Sequence, residues 1–146
     1  MAVVAYINFK GNCREAIGFY ADVFGAQAPE IKTYGSQGGE FPLPEAVKDL
    51  VMHAELNIMG TTVMLSDVFD ADTYQVGNNI SLTLISDDQK ALEDAFHKLE
   101  IGGQVTVPLQ QTFWTNLYGY VIDRYGVGWQ VSHEAAKSGN AATGGR

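Results

Sequence analysis

The chain repeats itself. Moving the first 25 residues forward by 75 positions lays Ala5, Ile7 and Phe9 on Ile80, Leu82 and Leu84, Asn12 on Asp87, Ala16 and Ile17 on Ala91 and Leu92, and Phe24 on Leu99. Each copy opens with alternating apolar and polar residues, as in a strand with one buried face, and continues into an apolar stripe of helical period. In the first copy the strand is AVVAYINF (2–9) and the stripe is Ala16, Ile17, Phe19, Tyr20, Val23 and Phe24. Asn12, with Glu15 three residues on, makes a capping-box-like start, and Gly25 supplies a left-handed stop.

A second shift, of 66, covers the rest of each copy. It places HAELNIMG (53–60) over GYVIDRYG (119–126) and TTVMLSD (61–67) over VGWQVSH (127–133), so that Gly60 meets Gly126 and Met64 meets Gln130. Both pairs read as hairpins. PEIKTYG in the first copy and GQVTVPLQ in the second supply one more strand each, and a longer polar loop over residues 35–49 accounts for the nine-position difference between the shifts. The pattern predicts two βαβββ units, residues 1–67 and 78–136, joined by 68–77 within one domain of residues 1–136. Residues 137–146 hold no apolar period and are expected to form a mobile tail. With one helix for four strands, a unit covers only one sheet face. The fold class is therefore α+β, with cupped, mainly antiparallel sheets.

Composition narrows the function classes. The formal net charge of −8 and an isoelectric point near 4.6 oppose contact with nucleic acid or an anionic membrane, which needs clustered Lys and Arg. No apolar run approaches the roughly 20 residues of a spanning helix, and MAVVAYINF lacks the basic flank of a leader. A cytoplasmic protein is expected. The single cysteine, Cys13, forms no internal disulfide. At the first turn of a helix beside Arg14 it is either a thiol of lowered pKa or a small residue tucked into the core.

The tandem unit, together with FKGNCREAIGFY (9–20), VMHAELNIMGTTVMLSD (51–67) and QTFWTNLYGYVIDRYGVGWQVS (111–132), resembles the vicinal oxygen chelate superfamily. This is the glyoxalase, bleomycin-resistance and dioxygenase fold; the motifs are similar to its PhnB-like branch, which carries the label demethylubiquinone methyltransferase-like. The resemblance implies a small-molecule pocket in each curved sheet, homodimer formation, and, in metal-dependent members, ligands from the first and fourth strands of each unit. Those places fall at Val4, Met64, Asn79 and Gln130. Among them only Gln130 is a familiar ligand type, so the usual divalent site is expected to be missing.

Strand parity offers other candidates. In VMHAELN, Met52, Ala54 and Leu56 take the helix side, which leaves His53, Glu55 and Asn57 on the cup side. His53 and Glu55 stand about 7 Å apart along the strand, a spacing that suits a histidine oriented by a carboxylate, or two ligands of a displaced metal. Tyr6, Asn8, Ser81 and Thr83 line the same kind of face, and Phe113, Trp114, Tyr118 and Tyr120 add aromatic surface for a pocket or the core. His97 reads as surface, His133 as a strand end, and the glycines of GSQGG (35–39) as a flexible loop over the first cup. Ser66 and Ser132 lie within strands, without a nucleophile elbow.

Three functions follow from these readings. The first is a small-molecule binder that uses Tyr6, Asn8, Met64, Asn79, Ser81, Phe113, Trp114 and Gln130 and needs no cofactor. The second is a metal-dependent lyase, isomerase or dioxygenase-type enzyme with His53, Glu55 and Gln130 at its centre. The third is a structural or interaction protein.

Overall fold

The computed structural model describes residues 1–37 and 42–135. The chain divides into two compact units, 1–76 and 77–146, each an α+β arrangement of one four-stranded sheet and a covering helix. Part of the GSQGG loop and all of the expected tail lie outside the described residues; Gly35–Gln37 form a single 3₁₀ turn.

In the first unit the elements are β1 (Tyr6–Phe9), α1 (Cys13–Phe24), β2 (Lys32–Thr33), a one-turn helix α2 (Glu45–Lys48), β3 (Val51–Ile58) and β4 (Thr61–Asp67). The strand order is β1-β4-β3-β2; β1 runs parallel to β4, and the other pairs are antiparallel. The second unit contains β5 (Ser81–Ser86), α3 (Gln89–Leu99), β6 (Gln104–Gln110), β7 (Tyr118–Ile122) and β8 (Gly128–His133). Its order, β5-β8-β7-β6 with β5 parallel to β8, repeats the first.

Each helix buries its stripe on one sheet face. Ala16, Ile17, Tyr20 and Val23 of α1 are buried, as are Phe9, Ala54, Leu56, Val63 and Leu65 of the strands, and α1 packs against β3 and β4. In the second unit Leu92, Ala95, Phe96 and Leu99 of α3 are buried with Leu84, Val121, Trp129 and Val131. Gly119 sets how closely α3 approaches. A Cβ there would stand 2.8 Å from the Phe96 ring and 2.9 Å from Leu109, inside any permitted carbon contact.

Buried carboxylates fasten both units. Asp67, 2% exposed at the end of β4, accepts backbone N–H bonds from Gly11 and Cys13 through Oδ1 and from Val51 through Oδ2, at 2.8–3.0 Å. It therefore caps α1, the role expected of Asn12, whose side chain makes no capping bond. Gly25 ends the helix in the left-handed conformation as expected, with φ of 60°. In the second unit Asp88 caps α3 through Ala91 N. Asp123 there binds Tyr125 N, Val127 N and the Trp129 indole at 2.8–3.0 Å, which closes the β7–β8 turn.

Burial and the neighbouring Asp67 charge together outweigh Arg14 and push the Cys13 thiol up to about 12. The reading of Cys13 as a low-pKa thiol is thereby overturned: the helix start that would favour a thiolate already faces a carboxylate, and the sulfur is excluded from water.

Two departures from the expected elements matter for the site. β1 begins at Tyr6 instead of residue 2, and only Ala5 O, accepting Met64 N at 3.0 Å, extends the pairing. The ladders also set Tyr6 against Met64 and Thr83 against Gln130. The first strands are thus related by 77 positions (83 − 6), two more than the expected 75. A two-residue slip keeps every side chain on the same face, so the apolar pattern cannot detect it.

Three outcomes are expected. Asp67→Ala, by leaving three N–H groups unbonded in the core, should destabilise the protein by about 3 kcal/mol or more in urea unfolding. Met59 forms the β3–β4 turn at φ 50° beside Gly60 at φ 88°; Met59→Asn suits such a turn and should raise stability by about 1 kcal/mol. For Cys13 the folded state holds the thiol proton more tightly than the unfolded chain. Its contribution to stability is complete below about pH 8.5 and is lost as pH rises toward 12. Iodoacetamide at pH 8 should therefore label Cys13 only as fast as the protein unfolds.

Candidate functional site

In each unit the sheet face away from the helix carries the polar and aromatic side chains. Alternation in β3 buries Ala54 and Leu56 and turns His53, Glu55 and Asn57 the other way. The ladder rows then assemble the first face. Tyr6, Met64 and Glu55 stand across neighbouring strands, Asn8 stands beside Ser66, and Lys32 stands opposite His53.

Three of these side chains are linked. Tyr6 Oη lies 3.0 Å from His53 Nδ1, and His53 Nε2 lies 3.0 Å from Glu55 Oε2. Ser66 donates to Asn8 Oδ1 at 3.2 Å. An open depression of about 230 Å³ beside the chain is lined by Pro29, Glu30, Lys32, His53, Ala54 and Glu55. Sequence reasoning singled out His53 and Glu55 and read 29–35 as a strand, but did not place Pro29, Glu30 and Lys32 at the site, because their approach to His53 depends on the pairing of the short β2 with β3.

The second face is built around Gln130. Its Nε2 donates to Ser81 Oγ at 2.7 Å, and its Oε1 accepts from the Tyr118 hydroxyl at 2.6 Å. The Trp114 ring meets Tyr118 edge-on with centroids 5.5 Å apart, and Phe113 meets Trp114 at 4.8 Å. Both Phe113 and Trp114 are exposed, at 98% and 58%. Tyr120 stands opposite Gln130 in the ladder, and its hydroxyl fills the space over Gly128, where a Cβ would stand 2.9 Å from that oxygen. Ser81, Tyr118 and Gln130 are thus brought together.

Val4 and Asn79 lie outside the strand ladders. Both are exposed and precede the first strand of their unit, so the first-strand positions beside Met64 and Gln130 belong to Tyr6 and Thr83. Remaining candidates are structural or peripheral: His97 pairs with Glu100 on the surface of α3, and His133 Nε2 lies 3.2 Å from the Asp87 carbonyl.

A divalent ion held in the manner of the metal-dependent relatives does not fit this donor set. Tyr6, Met64, Thr83 and Gln130 contribute no carboxylate or imidazole, and the Gln130 carbonyl oxygen, the atom a cation would seek, already accepts from Tyr118. Among the described residues no three or more His, Cys, Asp or Glu side chains are grouped so as to hold a metal ion. His53 and Glu55 lie in the first unit, whereas Gln130 lies in the second.

No helix among the described residues is long and apolar enough to cross a membrane. The sequence model of the family described as 3-demethylubiquinone-9 3-methyltransferase matches residues 1–132. Protein YjdN of Escherichia coli K12 is 28% identical over 148 aligned residues, covering 90% of this chain and 95% of that protein. Protein PA1353 of Pseudomonas aeruginosa is 35% identical, superposes with a TM-score of 0.79 and spans 93% of this chain and 99% of its own. Two more distant structures share the fold. A PhnB protein of Bacillus cereus has 22% identity, a TM-score of 0.70 and coverage of 92% and 100%. The fosfomycin resistance protein FosX of Listeria monocytogenes has 10% identity, a TM-score of 0.61 and coverage of 92% and 93%. With the family model matched over nearly the whole chain, the chain belongs to the 3-demethylubiquinone-9 3-methyltransferase family, and its tandem unit and strand order give it the fold of the PhnB protein and FosX.

Proposed function

We propose that this protein binds a small, oxygen-bearing ring compound on the helix-free face of its second unit, and that side chains do there what a divalent ion does in metal-dependent relatives. One observation carries the reading: both ends of the Gln130 amide are engaged, and the direction of the bonds leaves a defined pattern for a ligand. Tyr118 spends its proton on Gln130, so its oxygen can only accept from a ligand. Ser81 accepts from Gln130, so its proton is left to donate. Trp114 supplies an exposed ring beside this pair for stacking. The family's description names a quinone, which belongs to the same chemical class of planar ring with oxygens at its edge.

The reading extends to assembly. Ile80, Ile85 and Phe113 are exposed apolar residues of the second unit, and a homodimer that covers part of this surface is included in the proposal. An enzymatic reading keeps its support from the His53–Glu55 pair alone.

Two-dimensional NMR of ¹⁵N-labelled protein with catechol, hydroquinone and 4-hydroxybenzamide as probes tests the site. At least one probe should shift the Trp114 indole and Gln130 amide signals, and Gln130→Ala should weaken that probe about tenfold, as expected for one lost hydrogen bond. Shifts confined to other residues, or none with any probe, would reject it.

A further inference from the structure

The first unit holds a second constellation, independent of the Gln130 face. Tyr6 from β1 and His53 and Glu55 from β3 form a line of two 3.0 Å contacts across the helix-free face. The chemistry of the three groups fixes the direction of the line. A carboxylate only accepts, so the proton between His53 and Glu55 sits on His53 Nε2. In neutral histidine Nδ1 is then bare, and the Tyr6 hydroxyl donates to it. A hydroxyl donating to an imidazole that is itself held by a carboxylate is the arrangement by which a weakly acidic O–H becomes a base or nucleophile, recognised by geometry and not by sequence order.

We propose that Tyr6, His53 and Glu55 form a proton relay in which the Tyr6 oxygen is the catalytic base, acting on small organic molecules that carry a weakly acidic C–H. As Tyr6 Oη takes a proton from the substrate carbon, its own proton passes to His53 Nδ1, and Glu55 stabilises the imidazolium that results. The electron pair of the broken C–H bond stays with the substrate. The relay resets when Nδ1 returns its proton to Tyr6 and the abstracted proton leaves to water or to the leaving group. Tyr6 is 44% exposed, so its oxygen is open to substrate, and Met64, next to it across the ladder, offers an apolar contact. His53 and Glu55 are positioning residues; Lys32 of β2, directly opposite His53, and Glu30 at the same depression are charged neighbours, and Tyr34 is a titratable group that interacts electrostatically with Tyr6.

The neutral probe 5-nitrobenzisoxazole reads such a base directly. Loss of its C3 proton forms the nitrile, breaks the N–O bond and releases a coloured phenolate, with no other reactant. The full chain should accelerate this elimination, and Tyr6→Phe should lose about 100-fold with an unchanged circular dichroism spectrum. The pH–rate profile of the wild-type chain should carry a limb that His53→Gln abolishes, a change that a merely structural role for His53 does not produce. Glu55→Gln should lower the rate while keeping the histidine limb. Ring ¹⁵N shifts should find neutral His53 protonated at Nε2. Equal activity of Tyr6→Phe and the wild-type chain, or a neutral His53 protonated at Nδ1, would overturn the relay. The Gln130 face plays no part in these readouts, so the two proposals stand or fall separately.

Discussion

A single buried carboxylate governs the geometry of the first unit. Asp67 sits where β4 ends, and its two oxygens collect N–H groups from the β1–α1 connection, the first residue of α1 and the first residue of β3. Charge-assisted bonds of this kind are about twice as strong as neutral ones and are directional. They fix α1 over β3 and β4, and with α1 in place the apolar parity of every strand faces the helix. The other parity, which holds Tyr6, His53 and Glu55, is left open. The second unit reaches the same result by another route. Its residue at the equivalent strand end is His133, which approaches a backbone carbonyl, and the buried carboxylate is Asp123 in the β7–β8 turn, gripping the Trp129 indole.

Once the frame is set, the two units diverge in chemistry. Met64 and Gln130 occupy corresponding places, beside Tyr6 and Thr83 respectively. In one unit a thioether leaves the tyrosine to reach across to His53; in the other an amide gathers a tyrosine and a serine. The first face is thereby a line of hydrogen-bonded side chains, Tyr6, His53 and Glu55. The second is a fixed pattern of hydrogen-bond donors and acceptors beside exposed aromatic rings. At the first- and fourth-strand places, Tyr6, Met64, Thr83 and Gln130 supply no carboxylate or imidazole of the kind a first-row divalent ion selects.

Much of this was legible in the sequence, for physical reasons. Apolar alternation has period two, so the side of the sheet taken by Ala54 and Leu56, and hence by His53 and Glu55, follows from the residues themselves. The repeat supplied the pairing of Met64 with Gln130. What escaped was whatever period two cannot encode. The moves of the first-strand places, by two residues from Val4 to Tyr6 and by four from Asn79 to Thr83, preserve parity. Asp67 did leave a trace, since it shares the parity of Val63 and Leu65, and an acid on the apolar side of a strand implies buried partners. Those partners lie up to 56 residues away, and local capping rules pointed to Asn12 instead. Likewise the bonds of Gln130 to Tyr118 and Ser81 depend on ladder register, which turn length decides.

The central proposal is that hydrogen-bonding side chains serve in place of a divalent ion in this member of the family. Loading the purified full chain with zinc, nickel, manganese and iron(II) separately, followed by gel filtration and elemental analysis, tests it most directly. The account predicts no stoichiometric retention of any of the four ions, with Gln130→Ala behaving as the unaltered chain does. One equivalent of metal retained per chain, and lost in Gln130→Ala, would contradict it.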